Sequence, residues 1–143
     1  MSIKVLFVGS NPSEKSPDNS ALHSSTRSRK ILNSWIQDLE IDAYFCNACN
    51  VQTKKNKPLS KRQIHEGSES LILKISQLKC DYVVALGKSA AYALGVVSVD
   101  HVEIPHPSGL NRKLNDRRVV DGIKNRLRDM IKGKNNIENN KPQ

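Results

Sequence analysis

Apolar residues along this chain switch between two periods. Residues 3–8 (Ile-Lys-Val-Leu-Phe-Val) form a β-branched-rich run that stops at Gly9, which predicts a buried first strand. Further on, Ile31, Leu32, Trp35, Ile36 and Leu39 fall on one helical face and predict a helix over residues 28–39. Residues 43–46 predict a short second strand. Ser60 and Gln63 have the form of a capping box, which predicts a helix from 60 to about 78 with Ile64, Leu71, Ile72, Ile75 and Leu78 on its apolar side. Residues 82–86 predict a third buried strand, 88–94 a short helix and 102–104 a fourth strand. Val119, Val120, Ile123, Leu127 and Ile131 mark a last helix, which Gly133 is expected to stop.

Strands that alternate with helices predict an α/β fold: three-layer, with a mostly parallel four-stranded central sheet and helices on both faces. No internal repeat divides the chain. Residues 1–133 are expected to form one domain, and the Asn/Lys-rich residues 134–143 a disordered tail. Sites in such sheets gather just beyond the carboxyl ends of the strands. Residues 9–13, 47–50, 87–89 and 106–112 meet that description.

Composition narrows the class of partner. A chain of 143 residues can bury one real core, and none of its apolar runs reaches the roughly eighteen residues of a membrane helix. Residues 1–4 lack the charged-then-apolar pattern of a signal peptide. Cys46, Cys49 and Cys80 are an odd, sparse set, which fits a reducing, cytoplasmic compartment of a prokaryotic cell or virus-infected host. Twenty-three basic against fourteen acidic residues give a net charge of +9, so the expected partner is a polyanion, nucleic acid before all others. The basic stretches lack large apolar faces, which argues against a membrane surface. Aromatic residues make up 4%, too few for an extended base-stacking platform.

Chemistry concentrates in residues 106–112, His-Pro-Ser-Gly-Leu-Asn-Arg. Proline, glycine and polar side chains exclude a strand or helix interior there. The loop carries an imidazole, a hydroxyl, an apolar knob and a guanidinium within seven residues. An ordinary surface loop is the plainer reading. What weighs against it is a second unusual loop, Gly9-Ser10-Asn11-Pro12-Ser13, at the end of the first strand.

Together with Phe45-Cys46-Asn47-Ala48, those two loops resemble the uracil-DNA glycosylase superfamily, most closely its mismatch-specific branch. The three motifs lie in the family's order and span roughly residues 3–128. The resemblance implies that His106 hydrogen-bonds the O2 of the departing base and that Asn11 holds the attacking water. Gly9 and Ser10 belong to the same water-positioning loop. An amide cannot take up a proton as a carboxylate can, so Asn11 implies slower chemistry. Asn47 would read the base edge, its amide offering a donor and an acceptor to the O4 and N3–H of uracil. As a residue by itself, Asn47 is equally a strand-end turn residue.

Ser13 stands where the most uracil-strict members carry a blocking tyrosine, which leaves the C5 position of the base open. The stretch between Ser13 and Ser34 has no Phe, Tyr or Trp to stack on the base, and His23 or Leu22 would take that place. Leu110 corresponds to the wedge that fills the stack when a base is flipped, although a buried loop anchor would look the same. Ser108, Gly109, Asn111 and Arg112 beside it would contact phosphates or the opposite strand.

Other signals are weaker. Gly87-Lys88-Ser89 lacks the earlier glycine of a P-loop, yet a helix starting there could hold a DNA phosphate on its N-terminal amides, with Lys88 and Ser89 beside it. Cys46 and Cys49 form half a metal or redox motif, with too few cysteines for a four-cysteine iron–sulfur cluster. Basic residues at 27–30, 54–62 and 112–132 are read as neutralising phosphates around the cleft. His65 and His101 read as surface residues.

The expected activity is that of a monomeric DNA glycosylase, acting without metal or cofactor on uracil or a mispaired or 5-modified pyrimidine in double- or single-stranded DNA. Its main rival is a glycosylase-fold DNA-binding module without useful catalysis. A third reading is a nucleotide-processing α/β enzyme.

Overall fold

The structure is a computed structural model that describes residues 3–11, 21, 26–50, 57–108 and 111–139. Its centre is strand β1 (Ile3–Gly9), whose residues 5–9 are all buried. A strand covered on both faces needs apolar side chains at every position, which is why this run does not alternate. Strands β2 (Ile41–Asn47), β3 (Tyr82–Leu86) and β4 (Val102–Ile104) join it in the order β2-β1-β3-β4, every neighbouring pair parallel. The expected α/β fold with four parallel strands is therefore present.

Alternate residues feed two cores. Leu6, Val8, Cys46 and Ala85 pack on one side against Ile64, Leu71 and Leu94. Those three come from helices α2 (Lys61–Glu66), α3 (Ser68–Leu78) and α4 (Lys88–Val96). Val5, Phe7, Val84, Leu86 and Ile104 pack on the other side against Leu32, Trp35, Ile123 and Leu127. These belong to α1 (Arg27–Ile36) and α5 (Arg117–Asn139). The chain leaves β1 toward β2 on one side and later returns to place β3 on the other. In open parallel sheets such a reversal is where ligands bind, at the carboxyl ends of the strands on either side, here β1 and β3.

Several boundaries differ from the sequence expectations. The helix expected from 60 to 78 is two helices, α2 and α3, divided at Gly67. Ile64 and Leu71 are two turns apart on one face, so periodicity could not reveal the break. A Cβ at Gly67 would lie 2.7 Å from the Ala48 carbonyl oxygen, so the break sits where the chain presses on the segment after β2. The Ser60–Gln63 capping box is present in full. Helix α1 ends at Ile36, short of Leu39, and β2 spans more than residues 43–46.

Gly133 does not stop the last helix, which runs on to Asn139. An interior glycine costs about 1 kcal/mol relative to alanine. Glycine most often stops a helix by adopting positive φ, and among described glycines only Gly87 does so. Of the expected tail, residues 134–139 continue α5 and 140–143 lie outside the described residues. No described helix is long and apolar enough to cross a membrane.

Candidate active site

Parallel pairing aligns the strand ends. Cys46, Val8, Ala85 and Glu103 form one row across the sheet. One residue further along each strand come Asn47, Gly9, Leu86 and Ile104. The loops that carry the sequence motifs start there, on one edge of the sheet.

On the β1–β2 side the ladder continues past the strands. The Ala48 N–H donates to the Gly9 carbonyl at 2.8 Å, and the Cys49 N–H to the Ser10 carbonyl at 3.0 Å. Residues 9–10 and 47–49 are thereby fastened together. Asn47 is the one buried polar residue among those described, with 6% exposure. Its Nδ2 finds no hydrogen-bond partner among the described residues. A buried donor left unpaired costs about 1–3 kcal/mol, so its retention needs a reason. A Cβ at Gly9 would stand 3.3 Å from Asn47 Oδ1, so glycine keeps clear the space this amide occupies. Beside it, the Ser10 hydroxyl donates to Asn11 Oδ1 at 2.8 Å and orients that amide.

On the β3–β4 side, the Gly87 N–H donates to the Ile104 carbonyl at 2.8 Å, which ties the start of α4 to the end of β4. Gly87 has φ 93 and ψ 177, a conformation essentially restricted to glycine. A Cβ there would lie 3.2 Å from the Cβ of His106. His106 therefore leans on the one residue type that leaves it room. Behind it Pro107 is fully buried, and the Ser108 N–H donates to the His106 carbonyl at 2.8 Å, which fixes the backbone on both sides of the ring.

Burial lowers the His106 pKa below the ordinary imidazole value. The ring is thus neutral at pH 7, with one N–H to donate and no full charge. The same shift makes stability depend on pH. As pH falls below about 6.5, the unfolded imidazole gains a proton before the folded one does, so stability declines in that window. Denaturant melts of the wild type and His106→Asn at pH 7 and pH 5 should show a smaller acid loss in the variant. An equal loss would mean that His106 titrates normally.

The remaining motif residues surround this edge. Lys88, exposed, and Ser89, half-buried, form the first turn of α4, whose N-terminus has no side-chain cap bond. Asn111 donates its N–H to the Ser108 carbonyl at 3.1 Å, while its Oδ1 accepts from the Lys113 N–H at 3.1 Å and caps a 3-10 turn over Arg112–Asn115. Arg112 is exposed. Ser13, Leu22, His23, Gly109 and Leu110 lie outside the described residues.

Sequence reading missed a feature beside Asn47. Phe7 and Phe45 stack across the β1–β2 pair with centroids 5.8 Å apart. The Arg29 guanidinium lies over Phe45, its Cζ 3.8 Å from the ring centroid. The signal was available in principle, because Phe45 and Asn47 are two residues apart and share a face. Nothing in sequence placed Arg29 over Phe45.

Two other expectations change, those for the cysteines and His101, while His65 lies at the surface as expected. Cys46 is a core residue, its thiol pushed up to about 11 mainly by burial, and Cys49 is buried in the same core. A thiol so protonated makes a poor nucleophile or redox centre. His65 is exposed but has a partner, with its Nε2 3.2 Å from the Tyr92 hydroxyl. His101 is half-buried, its Nδ1 2.8 Å from the Val99 carbonyl.

The family model of the uracil DNA glycosylase superfamily matches residues 1–132, nearly the whole chain. The chain belongs to that superfamily. Comparison with curated proteins finds no match. Superfamily members as a rule hydrolyse N-glycosyl bonds in DNA, so membership supports a DNA glycosylase-like function in general, with DNA as the partner. At the carboxyl edge of the sheet of this glycosylase-like protein, Asn47 and His106 stand against Gly9 and Gly87, and the Ser10 hydroxyl orients Asn11.

Proposed function

We propose that this protein excises uracil, or a mispaired or 5-modified pyrimidine, from DNA by flipping the base and hydrolysing its N-glycosidic bond. The observation that carries the reading is the buried Nδ2 of Asn47, without a hydrogen-bond partner among the described residues, at the carboxyl end of β2. A base carbonyl such as O4 of uracil would satisfy that donor, whereas the amino group of cytosine would oppose it. Backbone positions two strands apart, as Asn47 and Gly87 are, lie roughly 10 Å from each other, room for one hydrogen-bonded base.

In the reaction the C1′–N1 bond breaks and its electron pair stays on the base. Water oxygen bonds to C1′ and its proton goes to solvent, from which the base anion later takes one back. Asn11, oriented by Ser10, holds the water, and the neutral His106 donates to O2 as charge grows there. Lys88, Ser89, Ser108 and Arg112 contact phosphates, and the net charge of +9 makes that binding steeply dependent on salt. The protein acts as a monomer in a reducing cytoplasm.

The test uses labelled oligonucleotides with U opposite G, U opposite A and single-stranded U, followed by alkali to cleave abasic sites. Wild type should release the base, and Asn47→Ala should lose most of that activity while folding at least as stably. The stability follows because removing the amide also removes an unpaired buried donor. Salt-sensitive binding without base release, on uracil and 5-modified substrates alike, would show a DNA-binding module instead. The amide at position 11, a poor proton acceptor, is the observation that favours that rival.

A further inference from the structure

We propose that the face shared by α2 and α4 holds phosphates of the DNA strand flanking the target nucleotide, with Tyr92 and His65 as a hydrogen-bonding pair and Lys61 and Lys88 as the cations beside it. This rests on the reading of DNA as the partner and holds whether or not a base is excised. The His65 Nε2 lies 3.2 Å from the Tyr92 hydroxyl, and the two rings meet edge to face with centroids 6.0 Å apart. The Lys61 Nζ stands over the Tyr92 ring, 5.7 Å from its centroid. Lys61, His65, Lys88 and Tyr92 are all exposed.

Two helices on the same side of the sheet create this face. Ile64 of α2 and Ala90, Ala93 and Leu94 of α4 share one core, which turns Tyr92 outward. Lys61 and His65 are one turn apart on α2, as are Lys88 and Tyr92 on α4, so each helix presents a lysine and a ring on one face. Both helices reach the carboxyl edge of the sheet. Helix α4 begins there, after Gly87. Helix α2 ends at Gly67, where a Cβ would lie 2.7 Å from the carbonyl oxygen of Ala48, the residue after Asn47. The patch therefore borders the edge that carries the candidate site.

Its charge and hydrogen-bonding capacity fit a phosphodiester. Arg62 is paired with Glu66 at 3.1 Å, whereas Lys61 and Lys88 have no ion-pair partner among the described residues, and α4 contains no acidic residue. Contact with the Tyr92 ring restrains Lys61, so less side-chain freedom is lost when an anion binds. With its proton on Nε2, His65 donates to the Tyr92 oxygen and leaves the hydroxyl proton for an outside acceptor. A phosphate oxygen is such an acceptor, and a chain from imidazole through hydroxyl to anion strengthens each of its bonds. Lysine and tyrosine side chains both serve as phosphate contacts that set register without reading sequence. Along α4, Lys88 and Tyr92 are about 6 Å apart, roughly two nucleotides along one DNA strand.

Binding is measured on a duplex with 2′-fluoro-2′-deoxyuridine, which resists cleavage, and on two shortened forms, each cut back close to the target on one flank. Tyr92→Phe should weaken binding to the full duplex about ten-fold, within the range of a hydrogen bond to a charged group, and leave its salt dependence unchanged. Lys61→Ala should lower the slope of log affinity against log salt by about one. Both effects should vanish on one shortened duplex and persist on the other, because the contact lies on one side of the target. A single methylphosphonate on that flank should match the change in slope and weaken Lys61→Ala no further. Lys4→Ala, which removes a cation from the opposite edge of the sheet, should show no dependence on flank.

Wild-type affinity in Tyr92→Phe would make the pair a brace between two helices and overturn the proposal. So would effects of Lys61→Ala that survive both truncations, which mark a general loss of charge. Should wild type release no uracil yet show the flank effects, the excision reading fails and this one stands. Melting curves confirm that each variant is folded.

Discussion

His106→Ala should lower the single-turnover rate of uracil release by about 10²–10³, the usual loss for one donor aimed at developing charge. Its effect on DNA affinity should be small, because the hydrogen bond to O2 strengthens only as the glycosidic bond breaks. The structure adds a reason to expect a pure donor. Burial favours the neutral ring, so the loss should persist at pH 7 to 8, and any acid step should fall below the ordinary imidazole pKa. Rapid-quench assays with enzyme in excess measure this directly. A variant with unchanged rate would remove His106 from the chemistry.

Gly87→Ala should harm both folding and rate, and by a route that no contact of glycine itself reveals. At φ 93 and ψ 177 an alanine is strained by about 1–3 kcal/mol. Its Cβ would also press on the His106 Cβ from 3.2 Å, tighter than ordinary contact. Relief requires either the start of α4 or the His106 loop to move. The Gly87 N–H bond to the Ile104 carbonyl joins those two segments, so displacement of one is felt in the other. The expected result is a midpoint of thermal unfolding lower by a few degrees. A rate deficit comparable to that of His106→Ala should persist in the folded protein. Normal activity in Gly87→Ala would show that the contact does not position the histidine.

Much of this fold was legible because its strands are buried on both faces. Runs such as residues 3–8 and 82–86 can be satisfied only inside a sheet, and the short apolar run at 102–104 is bounded by loop residues. The break at Gly67 was hidden, since Ile64 and Leu71 keep the same face on either side of it. The end of α5 was misplaced because glycine weakens a helix without necessarily stopping it, and the backbone conformation it adopts is not reported by sequence.

The candidate site divides in the same way. Sequence by itself determined which residues carry usable chemistry: the amides of Asn11 and Asn47, the imidazole of His106, and the basic surplus that draws the chain to DNA. Residue type and motif order suffice for that, because hydrogen-bonding capacity and charge belong to the side chain. Tertiary structure alone decided their state. Burial leaves the Asn47 Nδ2 without a partner among the described residues and favours the neutral form of His106, and the packing of α1 brings Arg29 over Phe45. Desolvation and stacking depend on neighbours distant in sequence, and only the folded sheet brings those neighbours together.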